Sequence, residues 1–153
     1  MSQYAHVKLR EFIKTPLLMG EHIRGLEVKA DAIASHATDY VRANASSDGG
    51  ITGVMKLGAL AEACGLDVEL HGPSLAHRHC MAALRNSNYY ALGQVHPKVR
   101  HNRAPIYADP CWLDLLESVD GNGCVEVPSG PGLGVDLDWK FVEAHKTGVQ
   151  VYE

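Results

Sequence analysis

Residues 41 to 53 read V-R-A-N-A-S-S-D-G-G-I-T-G and join two different periodic patterns. The run D-Y-V-R-A-N (39–44), which overlaps its start, is short and apolar-rich, as is typical of a strand. Residues 49–65 place apolar side chains at helical spacing and end at Gly65, the predicted C-cap. The stretch therefore predicts a strand that turns directly into a helix.

The same strand-and-helix unit occurs once before and once after this stretch. P-L-L-M-G-E (16–21) predicts a strand buried on both faces, and residues 24–35 predict its helix. D-V-E-L-H (67–71) predicts a third strand, and the helix over 74–86 begins with Ser74 as its N-cap. Because strands and helices alternate with short connections, we predict an α/β fold with a parallel sheet and right-handed crossovers.

Three polar residues stand at the carboxyl ends of the predicted strands. Glu21 closes the first strand, Asn44 the second and His71 the third. In parallel α/β folds, ligands meet the sheet at this edge, and in a (β/α) barrel the strand ends converge on one site. The sequence therefore predicts that Glu21, Asn44 and His71 share a site.

The chain outside these units has a different character. Tyr4 to Ile13 predicts a leading helix with loose periodicity. We predict a single domain over residues 1–153, with βα units over about 15–91 and an irregular C-terminal arm over about 92–153.

Within the arm, Pro and Gly interrupt the pattern repeatedly. V-E-V-P-S-G-P-G-L-G-V-D-L (125–137) predicts two short strands or extended arms. A short helix is predicted from Trp139 to His145, and V-Q-V-Y (149–152) predicts a final strand.

The composition excludes several classes of function. The 153 residues are 46% hydrophobic and 21% charged, with net charge −4, as in a soluble domain large enough to bury a core. Lys and Arg are scattered singly, which argues against a nucleic-acid partner. No apolar run approaches the ~20 residues that span a bilayer, and no signal-peptide core is present. We expect no membrane association and a cytoplasmic location.

The thiols and clustered histidines offer no metal motif. Cys64, Cys80, Cys111 and Cys124 form no C-x-x-C pair. We expect reduced and mostly buried thiols, because a free Cys behaves as a small hydrophobe. His77 and His79-Cys80 are not expected to form a metal cluster, because positions i and i+2 of a helix point apart.

Local structure offers a second interpretation of each strand-end residue. The position of Glu21 is also typical of a solvated carboxylate or of a residue that caps the next helix. The position of His71 is also typical of a hydrogen-bonded histidine at a strand end. The simplest role of Asp48 is the N-cap of the following helix. The Gly-rich loop lacks the G-x-x-x-x-G-K-[ST] order, so its commoner use is helix capping and close packing, although its N–H groups could hold a carboxylate or phosphate.

Four runs in a fixed order resemble the C-terminal part of an enolase-superfamily enzyme. They are similar to the mandelate racemase-like subgroup, particularly its acid-sugar dehydratases, and the resemblance covers about residues 8 to 143. It implies a partial (β/α)8 TIM barrel, about the last three βα units, with an irregular C-terminal arm. The runs are L-L-M-G-E (17–21), D-Y-V-R-A-N-A-S-S-D-G-G-I-T-G-V-M-K (39–56), A-E-A-C-G-L-D-V-E-L-H-G (61–72) and V-P-S-G-P-G-L-G-V-D-L-D-W (127–139).

The resemblance also implies roles for single residues. Members of this family bind a divalent metal, usually Mg²⁺, and abstract the proton α to a carboxylate, so that the metal stabilises the enediolate. By resemblance, Glu21 is the third metal-ligating carboxylate, at the sixth strand, and His71 the catalytic acid or base, at the eighth. Asn44 then orients His71, and Arg42 and Asp48 bind the sugar-acid substrate.

The chain departs from the family pattern in three ways. Asn44 stands where the family pairs an aspartate with the histidine, and an amide carries no charge to stabilise imidazolium; Asp48, four residues on, is the alternative partner. N-Y-Y-A-L-G offers Ala91 where the family commonly has a glutamate. Only three βα units are present, and one carboxylate does not hold Mg²⁺ well, because the ion needs several oxygens.

Three functions follow from these observations. The first is Mg²⁺-dependent dehydration of an aldonate or aldarate. The second is a truncated, catalytically impaired remnant that associates with another chain, because a partial barrel leaves an exposed sheet edge. The third is a small-carboxylate binding module that uses His71, Arg42 and the loop N–H groups. We expect a homo-oligomer or an N-terminal partner chain.

Overall fold

The computed structural model divides the chain into two compact units, Met1–Gly93 and Gln94–Glu153. The boundary lies close to the predicted junction between the βα units and the arm. The assignment of both units to one domain stays a prediction. The structure describes residues 2–93, 96, 98, 106–109, 112 and 114–151.

The first unit contains three parallel strands that alternate with helices. The sheet order is β1-β2-β3. Leu18 of β1 lies opposite Tyr40 of β2, and Arg42 of β2 lies opposite Glu69 of β3. The predicted alternation is therefore confirmed. The elements are α1 (Gln3–Phe12), β1 (Leu18–Met19), α2 (Leu26–Ala34), β2 (Tyr40–Ala43), α3 (Gly50–Ala63), β3 (Asp67–Leu70) and α4 (Leu75–Ala83).

The two faces of the sheet carry different side chains. On β2, Val41 and Ala43 are buried, whereas Tyr40 and Arg42 are only half-buried, because successive residues of a strand point to opposite faces. The buried face packs against the helices. The apolar core consists of Ile33, Val41, Ala43, Val54, Leu57, Ala61, Val68, Leu70 and Cys80.

The first strand is shorter than its sequence pattern predicts. Residues 16–21 predict a strand, but only Leu18 and Met19 pair with β2. The Met19 N–H donates to the Thr38 hydroxyl at 3.1 Å, and Gly20 turns the chain with φ +117°. Side-chain hydrogen bonds and a left-handed glycine thus limit the ladder.

The chain itself covers the free edge of β3. The Val68 N–H donates to the Asn86 carbonyl at 2.8 Å. The Glu69 carboxylate accepts from the backbone N–H groups of Asn88, at 3.3 Å, and Tyr89, at 3.2 Å. Because this segment occupies polar groups on β3, the two edges of the sheet differ.

Ser74 caps α4 as predicted. Its Oγ accepts from the His77 N–H at 3.1 Å. In an N-cap this bond satisfies one of the N–H groups that have no partner within the helix.

The second unit contains little regular structure. Leu116–Ser118 form a 3-10 turn, and Trp139–His145 form the predicted helix, α5. Over residues 125–137 the structure shows isolated antiparallel bridges, between Val119 and Val125 and between Tyr107 and Leu137, with bends and turns over residues 130–134. The predicted final strand is absent over residues 149–151, the described part of its range, so this prediction is wrong there. The side chains of these residues are exposed and form no buried apolar face.

The thiols differ from the expectation of burial. Cys80 is buried, and this burial raises the pKa of its thiol. Cys64 and Cys124 are exposed, so mostly buried thiols are the wrong prediction for the described cysteines; Cys111 lies outside the described residues. None of the helices in the described ranges has the length and apolar character that a bilayer crossing requires.

Candidate functional site

Gly20 brings the end of β1 against β2. A Cβ built on Gly20 would lie 2.9 Å from the Arg42 carbonyl oxygen, and its φ of +117° is one that side chains rarely adopt. Only glycine therefore permits this close approach. As a consequence Glu21, the next residue, lies beside β2.

The Glu21 carboxylate is the centre of a charged group at the strand ends. Arg42 Nη2 lies 3.9 Å from Glu21 Oε2, and His71 Nδ1 lies 3.7 Å from Glu21 Oε1. His22 Nε2 lies 3.9 Å from the same Oε1. We call Glu21, His22, Arg42 and His71 the strand-end cluster. The structure thus brings together three predicted residues from three strand ends and adds His22.

His22 was missed by the sequence analysis. Its signal was its place directly after Glu21, just beyond the first strand. Polar residues in this position belong to the edge where parallel strands converge.

No hydrogen bond joins the members of the strand-end cluster in the described structure. Separations of 3.7–3.9 Å exceed hydrogen-bonding distance. In the part of the chain that the structure describes, Arg42 Nε and His71 Nδ1 are buried atoms without a hydrogen-bond partner. Buried polar atoms of this kind call for a water, an ion or a ligand.

Asn44 has local partners. Its side-chain Oδ1 accepts from the Ser46 N–H at 2.9 Å, and its backbone N–H donates to Asp48 Oδ2 at 2.7 Å. Among the described hydrogen bonds none joins Asn44 to His71. The orienting role of Asn44 therefore stays a prediction, whereas its place at the carboxyl end of β2 is observed.

Asp48 lies inside the protein. Only 1% of the residue is exposed, and its Oδ2 accepts from Lys29 Nζ at 2.5 Å. Lys29, on α2, is equally buried. The substrate-binding prediction for Asp48 is corrected accordingly, because a buried carboxylate bound to an ammonium offers no surface to a substrate.

The predicted N-cap role of Asp48 is also wrong. The N-cap of α3 is Gly49, in the left-handed conformation with φ +80°, and no side chain caps this helix. Asp48 Oδ2 instead accepts from the Asn44 N–H, so Asp48 holds the turn that ends β2.

His77 joins the loops that follow β2 and β3. The Ala45 N–H donates to its Nε2 at 3.0 Å, and its Nδ1 lies 2.8 Å from the Gly72 carbonyl. These partners require a neutral imidazole with its proton on Nδ1. The sequence analysis considered His77 only as a metal ligand and missed this structural role.

Parallel strands, helices on one sheet face and polar groups at the strand ends are features of an α/β protein of the barrel class. The family model described as "Enolase C-terminal domain-like" matches residues 1–141. The chain belongs to this family.

Several acid-sugar dehydratases are similar to the chain. D-gluconate dehydratase of Thermoproteus tenax is 26% identical over 142 residues, which are 91% of this chain and 27% of that enzyme. L-rhamnonate dehydratase of Saccharopolyspora erythraea is 33% identical over 100 residues, 65% of this chain and 25% of that enzyme. The crystal structure of D-glucarate dehydratase from Agrobacterium tumefaciens, complexed with magnesium, matches with a TM-score of 0.80 and 31% identity, over 94% of this chain and 36% of that one.

These matches confirm the fold class and the family resemblance. The chain is a partial (β/α)8 barrel with an irregular C-terminal arm. It spans between about a quarter and a third of the length of these relatives.

Proposed function

We propose that the chain contributes part of an active site for the dehydration of an aldonate or aldarate. The observation that carries this proposal is the convergence of Glu21, Arg42 and His71 at the carboxyl edge of the sheet. The similarity to three sugar-acid dehydratases supports the same reaction class.

In the proposed reaction His71 takes the proton from the carbon α to the substrate carboxylate. The electron pair of that C–H bond forms a C=C bond and expels the β-hydroxyl, which leaves as water after accepting a proton. The enol product then converts to an α-keto acid. Imidazole suits both proton steps because its pKa lies near neutrality.

Arg42 is proposed to bind the substrate carboxylate, and Asn44 to hydrogen-bond near His71. A guanidinium is always charged and offers a planar pair of donors that matches a carboxylate. The Arg42 side chain is 22% exposed, which leaves it accessible from the strand-end edge. Asp48 takes no part in this proposal, because its carboxylate is bound to Lys29 inside the protein.

The described residues of this chain do not fit a Mg²⁺ site by themselves. Mg²⁺ requires a near-octahedral set of oxygens, and in the strand-end cluster Glu21 supplies the only carboxylate, beside one guanidinium and two imidazoles. No group of three His, Cys, Asp or Glu residues in the described ranges could hold a metal. Glu21 is proposed as one ligand of a Mg²⁺ site that other elements would complete.

A partner that supplies further barrel strands is the second part of the proposal. Among the described residues no strand pairs with the outer edge of β1. Leu18 is 44% exposed, and on α1 Tyr4 and Phe12 are 72% and 83% exposed. The β3 edge is covered by residues 86–89. An exposed strand edge beside apolar side chains favours pairing with another chain, so association through β1 and α1 is expected.

The cytoplasm is the proposed location. Cys64 and Cys124 are free and exposed, and exposed free thiols suit a reducing compartment. The partner is then either a second copy of the chain or a cytoplasmic chain with the remaining strands.

The dehydratase proposal is tested by turnover. The chain, alone and mixed with a chain that carries the preceding barrel strands, is incubated with Mg²⁺ and a panel of aldonates and aldarates, and α-keto acid is measured. We expect product from the mixture and its loss in His71→Asn. His36→Asn is the control, because His36 is exposed and Asn tolerates its φ of +55°. No turnover in either preparation would reject the activity.

The alternative of a non-catalytic chain that associates with another is favoured by the exposed Tyr4 and Phe12. Light scattering after size exclusion measures the mass in solution. We expect a species larger than the 16.6 kDa monomer. A stable monomer with well-dispersed amide signals would contradict association.

A further inference from the structure

The strand-end cluster contains more basic groups than acidic ones. One carboxylate, Glu21, faces the guanidinium of Arg42 and the imidazoles of His22 and His71. We propose that in this chain the cluster binds an oxyanion, a carboxylate or a phosphate, without a divalent metal. This inference rests on the proposed function only for the sugar-acid carboxylate as the natural ligand.

The carboxylates of Asp48 and Glu69 form no ion pair with Arg42 in the described ranges. Asp48 is bound to Lys29. Glu69, which lies opposite Arg42 in the β2–β3 register, accepts from the backbone N–H groups of Asn88 and Tyr89 and from the Asn88 side chain. In the described ranges, Glu21 is therefore the only carboxylate within ion-pair distance of Arg42.

Glu21 does not saturate its basic neighbours. A separation of 3.9 Å gives Coulomb attraction to Arg42 but no hydrogen bond. Within the described ranges Arg42 Nε has no partner, and neither does His71 Nδ1, although both atoms are buried. These two nitrogens have no hydrogen-bond partner, and one of them belongs to a guanidinium that is always charged. Such groups are suited to the oxygens of an anion.

Glu21 acts in this arrangement as a competitor of the anion. The Arg42 and His71 side chains are 22% and 41% exposed, so a ligand can reach the same basic groups as the Glu21 carboxylate. Removing its charge then strengthens anion binding. A metal ligand would behave in the opposite way, because removing it weakens cation binding and leaves anion binding unaffected.

The test measures binding rather than turnover. The full chain is titrated separately with inorganic phosphate, D-gluconate and MgCl₂, followed by calorimetry and by amide and side-chain ¹⁵N shifts. Phosphate and gluconate are expected to bind and shift the Arg42 Nε and His71 signals, and MgCl₂ to leave them unchanged. Phosphate binding without gluconate binding would assign the site to phosphate; gluconate alone would assign it to carboxylates.

Two variants give opposite predictions. Arg42→Gln should weaken phosphate binding about tenfold, as expected for loss of a hydrogen bond to a charged group. Glu21→Gln should strengthen it about threefold, through removal of a partly screened like charge. Arg85→Gln is the matched control, because Arg85 is 87% exposed and pairs with Glu62; its phosphate affinity should not change.

The sign of the Glu21→Gln effect decides the inference even if Arg42→Gln fails to fold. Mg²⁺ binding that is lost in Glu21→Gln, with phosphate affinity unchanged or weakened, would overturn it. Anion binding without turnover would reject the dehydratase proposal and leave the anion site intact. Turnover without metal-free anion binding would support the dehydratase proposal and reject the anion site.

Discussion

Two acid–base groups at the same edge of the sheet are built in opposite ways. Lys29 and Asp48 meet at 2.5 Å, and both side chains are buried. Glu21 lies 3.7 Å from His71 and 3.9 Å from Arg42, and nearly half of its side chain is exposed. The Lys29–Asp48 pair is buried and hydrogen-bonded. In the strand-end cluster, Arg42 Nε and His71 Nδ1 have no hydrogen-bond partner within the described ranges.

The difference indicates which charges support the fold and which contribute little to it. Removing one partner of a buried pair leaves an uncompensated charge in a medium of low dielectric constant. An exposed pair contributes little to stability, because water screens it. Lys29 and Asp48 therefore support the fold, whereas the strand-end cluster contributes little to stability.

The largest effect is expected from breaking the buried pair. Lys29→Met should lower the free energy of unfolding by about 3–5 kcal/mol, because Asp48 is left buried and charged without a partner. Urea denaturation at pH 7 measures this loss. Lys56→Met, at an exposed position of α3, is the control and should change stability by less than about 0.5 kcal/mol. Equal effects of the two substitutions would contradict the structural role of the pair.

Gly20→Ala tests the backbone geometry that places Glu21 in the strand-end cluster. The new Cβ would lie 2.9 Å from the Arg42 carbonyl at a φ of +117°, so we expect a loss of about 1–3 kcal/mol. Glu21 should move away from Arg42, visible as a shift of the Arg42 side-chain ¹⁵N signals. Gly148→Ala is the control, because nothing lies within 4 Å of a Cβ there. An unchanged stability would show that the close approach is dispensable.

His77→Leu tests the hydrogen bonds that join the loops after β2 and β3, and it leaves the residues of the strand-end cluster unchanged. It removes the acceptor of the Ala45 N–H and the partner of the Gly72 carbonyl, and we expect a cost of about 1–3 kcal/mol for these unsatisfied groups. Hydrogen exchange of the Ala45 amide should accelerate. If that exchange rate stays the same, the tie between the two loops is not as the structure shows.

The smallest effect is expected at Asp120, a carboxylate that is fully exposed. The N–H groups of Cys124 and Asn122 donate to it and lower its pKa. A lowered folded pKa stabilises the protein above the unfolded pKa of about 4, and this contribution is lost as the pH falls through the folded value. NMR titration should give an Asp120 pKa below the ordinary range, and Asp120→Asn should remove its share of acid sensitivity. An ordinary pKa would contradict the hydrogen bonds from the Cys124 and Asn122 N–H groups to Asp120.

Much of the fold was predictable because it follows from local periodicity. The three βα units, the Ser74 cap and α5 each depend on residues close together in the chain. The length of β1 was not predictable, because the Met19 N–H bonds to the hydroxyl of Thr38, nineteen residues away.

The site was predictable only in part. Glu21, Arg42 and His71 converge because strand ends of a parallel sheet share one edge. The partner of Asp48 was missed, although Lys29 lies between Leu26 and Ile33 on the apolar face of α2, an unusual position for a lysine. A charged residue on that face is a signal of a buried counter-ion.

The sequence by itself determined the order of the elements, the family resemblance and the residues at the strand ends, because these depend on short-range pattern. Only the tertiary structure decided which charges pair. Asp48 binds Lys29, and Glu21 faces Arg42 and His71, because burial and distance between remote residues set the strength of each interaction. The same kind of carboxylate is thus buried and paired at one position and half-exposed at the other.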